Sequence, residues 1–393
     1  MSSGRVHPTE PPLPTSAISG VELRRIRLPL VAPFRSSLGL LWEREVLLVK
    51  VTTSDGEGWG ECAAMAAPSY TSEYLDGAHH VMRHHLLPLL LARPGLRADE
   101  VAGALAPVRG HSMAKSALEM AVLDAELRST DTSLAERLGA VRAKVDAGVA
   151  VGIAGDLGEL VDAVAGYRDA GYRRVKLKIR PGWDVEPVQA VRARFGDQLA
   201  LQVDANAGYS RADAAHLGRL DAFDLVLIEQ PFAEDDLLGH AELARRISTP
   251  ICLDESITSA AAASTAIALG AAAVVNVKAG RVGGYLEARK VHDVCAAAGV
   301  PVWCGGMFET GVGRAANVAL AALPNFALPG DVSASDRYYR ADLTPPFVLE
   351  DGRLAVPTGP GLGVEVLADA VDEFTVSVER VTTPARGSTV TPS

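Results

Sequence analysis

No run of about 18 apolar residues occurs in this chain, so no transmembrane helix is expected. The first twenty residues, MSSGRVHPTEPPLPTSAISG, lack the apolar stretch of a secretion signal. Their Pro and Ser content reads as a disordered extension, as does the tail from 381 to 393. Cysteine is scarce. Cys62, Cys252, Cys295 and Cys304 form no CxxC pair, and each lies in an apolar context, as buried free thiols of a reduced, cytoplasmic protein do. Positive charge is in deficit: the formal net charge is −10, which argues against nucleic acid or an anionic membrane as partner. GxSxG, Walker A and HExxH patterns are absent, which removes the simplest signals for a serine hydrolase, a P-loop enzyme and a zinc protease.

What is present is a large apolar share, 48%, over 393 residues. That length suits a barrel of about 250 residues with a smaller domain attached. Residues 21–31 read as a strand and 45–63 as a hairpin around SDGEG. Helical patterns follow, one from about Ser72 to Leu91, stopped by Pro94-Gly95. A second runs from about Ser112 to Leu138, with Ser112 as N-cap and Gly139 as C-cap. This second helix reads as amphipathic, lying between domains. Strands followed by helices describe an α+β domain over 21–142. From about 143 strand and helix alternate with a period near 25, as in GVAVGI, VKLKI, LALQVDAN, LVLIEQP, PICLDES, AVVNVKAG and VPVWCGG, with NFALPGD as an eighth candidate strand. That repeat argues for a closed α/β barrel over 143–340. Residues 341–380 are expected to return to the first domain.

Five of these runs end on an ionisable residue: Lys178, Asp204, Glu229, Asp254 and Lys278, at spacings of 26 (178 to 204), 25 (204 to 229), 25 (229 to 254) and 24 (254 to 278) residues. In a parallel barrel these positions fall on the C-terminal rim, where active sites are built. An isolated Asp at a strand end is more often a helix N-cap. Three acids in successive units, flanked by lysines, are not explained that way. Asp204, Glu229 and Asp254 offer only oxygen, and oxygen sites select Mg²⁺ or Mn²⁺ over Zn²⁺. Asn206 and Glu255 are candidates to orient those ligands, with Gln230 beside them. Lys176 shares a face with Lys178. Neighbouring cationic lysines are expected to lower each other's pKa, as would a metal ion, bringing them into the range of general bases.

KLK, VDAN, IEQP, LDES and VKAGRVGG, in that order and spacing, resemble the enolase superfamily. The lysines on the second and sixth strands are similar to its muconate-lactonizing subgroup; the mandelate racemase subgroup has a His–Asp pair instead. WGECAAMAAPSY, HSMAKSALEMAVLDAELR, PVWCGGMFETGVGRAANVALAALPNF and LPGDVSASDRYY extend the likeness over about residues 20–370, and resemble the actinobacterial N-acylamino acid racemase/o-succinylbenzoate synthase family. The resemblance implies a (β/α)₇β TIM-like barrel, an N-terminal capping domain, a divalent metal and a small-molecule carboxylate substrate. It also implies α-proton abstraction through an enediolate. Lys178 and Lys278 would be the catalytic pair, with Lys176 tuning Lys178. The reaction would be racemisation of an N-succinyl or other N-acylamino acid, or dehydration of 2-succinyl-6-hydroxy-2,4-cyclohexadiene-1-carboxylate to o-succinylbenzoate. Two capping loops would close the site, one with Phe34, Arg35, Ser36 and Ser37, the other with Met65, Ala66, Ala67 and Pro68. Gly305, Gly306, Met307, Phe308 and Glu309 would line the acyl side. A homo-oligomer is expected.

A muconate cycloisomerase would share both lysines. A dipeptide epimerase would carry D-x-D after the eighth strand, where this chain reads Asp331-Val332-Ser333. A non-catalytic protein on the same fold would be expected to lose a ligand or a lysine, and none is missing. Gly311, Gly313 and Ala316 form GxGxxA at the seventh helix, where packing explains them better than a dinucleotide does. His79, His80, His84 and His85 crowd one helix and read as a solvated or interface face.

Overall fold

A computed structural model of the chain describes residues 17–36, 39–93 and 95–382. Ser37, Pro94, most of the N-terminal extension and the tail beyond 382 lie outside the described residues. The capping domain is built on an antiparallel sheet whose strands run, side by side, Thr375–Thr382, Ile18–Ser36, Gly39–Thr53 and Gly56–Cys62. The C-terminal strand pairs with the first, Gly20 opposite Thr382. The two long strands overshoot the sheet, and Phe34 opposite Leu41 continues them as a hairpin. That hairpin lies over the barrel rim, where Ile153 N–H donates to the Arg35 carbonyl at 2.8 Å and Val31 N–H to that of Tyr338 at 2.9 Å.

The helix Ser112–Ser129 lies directly on this sheet. It differs from the sequence expectation in three ways. It stops at Ser129, and a separate helix, Leu134–Leu138, begins after Ser133, whose side chain accepts from Glu136 N–H. His111, in a left-handed conformation (φ 55°), precedes it as N-cap, so Ser112 is inside the helix. Finally, it is buried on every side from Ser116 to Leu127, so it is not amphipathic. Its interior charges survive because backbone N–H groups reach them: Leu286 on Glu119 (3.1 Å), Trp59 and Leu362 on Asp124 (2.8 and 2.7 Å), Ala98 on Glu126 (2.7 Å). The pattern from Ser72 to Leu91 is helical from Leu75, with a π turn at Met82–Leu86. His80 and His84 are exposed, their rings 4.6 Å apart, and His79 meets Glu379.

Seven parallel strands form the barrel wall in chain order: Gly148–Val151, Arg174–Lys178, Leu201–Asp204, Ile228–Glu229, Ile251–Leu253, Val274–Val277 and Val302–Cys304. Helices alternate with them. NFALPGD forms no strand of its own. It closes the ring through single bridges, Phe326 to Val302 and Gly330 to Ala147. Pro329, which has no N–H, interrupts any longer ladder there. Among the described residues, no helix is long and apolar enough to cross a membrane.

Close approach of helix to strand sets the capping domain's geometry. A Cβ on Gly60 would lie 2.1 Å from the Ala117 carbonyl oxygen, and one on Gly58 2.2 Å from that of Ala121. Gly103, inside a helix, has open space around it. Gly60→Ala is therefore expected to destabilise the protein by about 1–3 kcal/mol, whereas Gly103→Ala should stabilise it by about 0.5–1 kcal/mol. Denaturant midpoints of the two variants check this, and equal effects would contradict the packing described.

Candidate active site

Adjacent parallel strands in register carry their ends to one level. Lys178 stands opposite Asp204, and Asp204 opposite Glu229. The chain then turns sharply, and four non-glycine residues just past strand ends hold left-handed conformations: Asn206 (φ 43°), Ala207 (58°), Gln230 (38°) and Phe308 (58°). Such strain gathers at functional sites, where the surroundings over-determine the backbone.

Beneath the rim lies a buried lattice of ion pairs. Lys176 Nζ is 2.6 Å from Asp331, 3.1 Å from Glu229 and 3.3 Å from Asp204. Lys178 Nζ donates to Asp204 at 2.6 Å and to Asn206 at 2.7 Å. Lys278 Nζ donates to Asp254 at 2.8 Å and to the Tyr70 hydroxyl at 3.0 Å. Arg281 reaches the other oxygen of Asp254. Asn276 donates to Glu229 at 2.7 Å, and Gln230 takes the Asp254 N–H at 3.0 Å. Asn206 donates to Glu255 at 3.2 Å.

These contacts set the protonation states. Burial alone would lower the pKa of Lys176, but Asp331, Glu229 and Asp204 raise it well above the ordinary value. Lys278 is likewise raised, against burial, by Asp254 and Tyr70. Lys176 therefore runs against the expectation that a neighbouring cation lowers it, because it faces three carboxylates. Burial would raise Asp204, yet Lys178 and Lys176 hold it below the usual range. Glu229 is pushed up to about 7 by burial and then by Asp204 and Asp254. Burial and Asp254 put Glu255 well above its normal range.

Among the described residues, no three acidic, His or Cys side chains are grouped so that they would hold a metal ion as they stand. The oxygens of Asp204, Glu229 and Asp254 face lysine and arginine instead. The donor chemistry nevertheless suits a hard dication. The donors are all oxygen, the acids crowd one another enough to lift Glu229, and Glu255 Oε2 is buried without a partner.

Above the lattice is a cavity of about 310 Å³. Lys176, Lys178, Lys278 and Asn206 form its floor; Phe34, Ser36, Leu41 and Met65 come from the capping domain; Gly306, Met307, Phe308, Glu309 and Tyr338 form the far wall. Asp204, Glu229, Asp254 and Glu255 lie outside that lining. So does Gly305: a Cβ there would meet Asn276 and, at 2.6 Å, the Lys278 Cε, so its bareness clears a path for Lys278. Phe34 and Phe308 meet edge to face at 5.0 Å.

Three participants were not singled out in the sequence. Tyr70 contributes its hydroxyl to Asp254 and its ring face to Lys278, whose Nζ is 4.3 Å from the centroid. Arg281 follows Lys278 by three residues in VKAGR, a spacing that places it one helical turn on. Arg174 holds Asp331 at 2.8 Å from below and lies over Trp303. Only the i,i+2 relation of Arg174 to Lys176 along one strand face could have suggested it.

Two family models match the chain: "Mandelate racemase / muconate lactonizing enzyme, N-terminal domain" over residues 19–139 and "Enolase C-terminal domain-like" over 159–370. An N-succinylamino acid racemase of Amycolatopsis sp is 64% identical over 360 residues, spanning 92% of this chain and 98% of its own. An o-succinylbenzoate synthase of Geobacillus kaustophilus is 44% identical over 360 residues, spanning 91% and 96%. A solved enolase-superfamily structure from Listeria innocua superposes with a TM-score of 0.90 at 40% identity, covering 94% of this chain and all of that one. Capping sheet, barrel, paired lysines and relatives agree, and the chain belongs to the enolase superfamily, in its mandelate racemase/muconate lactonizing enzyme branch.

Proposed function

We propose that this protein abstracts the α-proton of a carboxylate substrate, acting as an N-succinylamino acid racemase and o-succinylbenzoate synthase. The two reactions share their first step. The observation that carries the reading is that Lys178 and Lys278 enter one cavity from strands separated by the three acid-bearing ones. The names of the relatives at 64% and 44% identity support the two activities.

Superfamily members use a divalent metal. In this chain Asp204, Glu229 and Asp254 would hold it. When bound, its charge makes the substrate's α-proton acidic. Lys178, half-buried and open to the cavity, takes that proton. Lys278 is an ammonium as placed, held by Asp254 and Tyr70. In racemisation it delivers a proton to the other face of the α-carbon; in dehydration it stays a stabilising cation, while Lys178 passes its proton to the leaving hydroxyl. Asn206 and Glu255 orient Lys178 and its acid neighbours. The apolar lining from Phe34, Met65, Met307 and Phe308 excludes water and strengthens each charge interaction inside.

Asp331 bears on specificity. It faces the cavity, but Arg174 and Lys176 already share it, and Ser333 is turned away, donating to the Gly148 carbonyl at 3.2 Å. Glu309 also faces the cavity, with Oε2 accepting from Met307 N–H at 2.8 Å. A substrate with a neutral, acylated nitrogen fits this better than one with a free ammonium.

Deuterium incorporation in D₂O with Mg²⁺, followed by NMR, tests the mechanism. Both enantiomers of an N-succinylamino acid should exchange, and exhaustive chelation should stop it. Lys278→Ala should lower racemisation by about 10²-fold or more, yet keep exchange for the isomer whose proton faces Lys178. Near wild-type racemisation by that variant would sink the two-base reading.

A companion measurement compares N-succinylamino acids with dipeptides bearing a free amino terminus. An unpaired buried ammonium costs on the order of several kcal/mol, so kcat/KM for the dipeptides should be lower by about 10²-fold or more. Comparable values would refute the role given to Asp331.

A further inference from the structure

Glu61 belongs to the capping domain, on the strand Gly56–Cys62, yet its carboxylate bonds to groups in the barrel. Its carboxylate accepts from Thr310 N–H at 3.0 Å, from the Thr310 hydroxyl at 2.6 Å and from Gly313 N–H at 2.9 Å. It therefore caps the helix Gly311–Ala321 from another domain, while Thr310 is the cap in sequence. A Cβ on Gly313 would lie 2.9 Å from Glu61 Oε2, so glycine there admits the acid. Buried at 6% exposure, Glu61 is pushed up to about 7 by burial, and Glu309 adds to the rise.

The segment just before this helix is the cavity's far wall, and it is strapped at each residue. Met307 N–H is held by Glu309, the Phe308 carbonyl by the Tyr339 hydroxyl at 2.6 Å, and the Glu309 carbonyl by Arg314 at 2.9 Å. Phe308 is left-handed (φ 58°), a conformation a bulky residue keeps only under such constraint. Among the described residues, the side-chain hydrogen bonds to 307–310 from the capping domain are those of Glu61, and Phe34 adds a ring contact on Phe308.

We infer that Glu61 is a positioning residue: it couples the seating of the capping domain to the shape of the substrate wall Met307–Glu309. The choice of a carboxylate follows from the donors. Three N–H or O–H groups converge on two oxygens at a helix N-terminus, where negative charge is favoured. Glutamine would offer one oxygen and aim an amide N–H₂ at a donor.

Glu119 provides the matched control. It too is a buried capping-domain acid on a barrel helix, accepting from Leu286 N–H, but it caps Tyr285–Ala297, whose Tyr285 hydroxyl reaches Gly313 and Asn317 inside the neighbouring helix and not the wall residues 307–309. Glu61→Gln should speed amide exchange over 305–314 and raise KM for an N-succinylamino acid by about tenfold, equivalent to ~1.4 kcal/mol, with kcat changing less. Glu61→Asp, keeping both oxygens, should recover most of the KM. Glu119→Gln should lower Tm while leaving the KM and exchange over 305–310 as in the parent. Thr310→Val, which removes only the hydroxyl, should shift both readouts in the same direction as Glu61→Gln, by less, and serves if Glu61→Gln does not fold. The KM arm rests on the reading under the preceding heading; the exchange arm is independent of any substrate. If Glu61→Gln, or Thr310→Val in its place, loses Tm with exchange over 305–314 unchanged, the inference is overturned.

Discussion

Asp204, Glu229, Asp254 and Glu255 share one ring of strand ends, all buried, and full ionisation of such a group requires cations among them. Like charges a few ångströms apart in a low-dielectric interior repel by several kcal/mol. The protein answers with Lys176, Lys178, Lys278 and Arg281, each bonded to one or more of the acids. Removing one partner of such a lattice leaves a buried charge uncompensated, at a cost of about 3–5 kcal/mol. Lys178 and Lys278 are therefore counter-ions, and their placement is over-determined by charge balance as well as by strand register.

The constraint reaches downward and upward. Downward, Lys176 brings a cationic excess, so Asp331 and Arg174 follow it into the barrel, with Trp303 beneath both cations at 4.8 and 5.0 Å. Upward, Asp254 is where the two domains meet: Tyr70 from the capping domain joins Lys278 and Arg281 on one carboxylate. The rim and the cap thus share hydrogen bonds, and the cavity exists only with both in place.

The strand-end acids and lysines were legible because register in a parallel sheet converts a regular spacing into a ring. The capping sheet was legible from its alternation and its SDGEG turn. The helix Ser112–Ser129 was misread because its charges suggested a wet face; Glu119, Asp124 and Glu126 instead receive N–H groups from distant segments, contacts that no local pattern reports. Tyr70 was missed for the same reason: 184 residues separate it from Asp254. The eighth strand was overcalled because NFALPGD is apolar enough for a strand while Pro329 denies it a ladder. Lys176 is raised where a lowered value was expected, since spacing along a strand shows the neighbouring cation but not the three carboxylates opposite it.

A carboxylate already saturated by protein cations recruits nothing from a substrate; a cation held among carboxylates can still orient an anion. At this mouth Asp331 is of the first kind, fixed from below by Arg174 and Lys176. Lys278 is of the second, held by Asp254 and facing the cavity. The cavity therefore presents lysines on its floor, with Phe34, Met65, Met307 and Phe308 among its wall residues. Those four wall residues come two from each domain. A shift of the capping domain would therefore reshape the walls, while the floor stays fixed by its ion pairs.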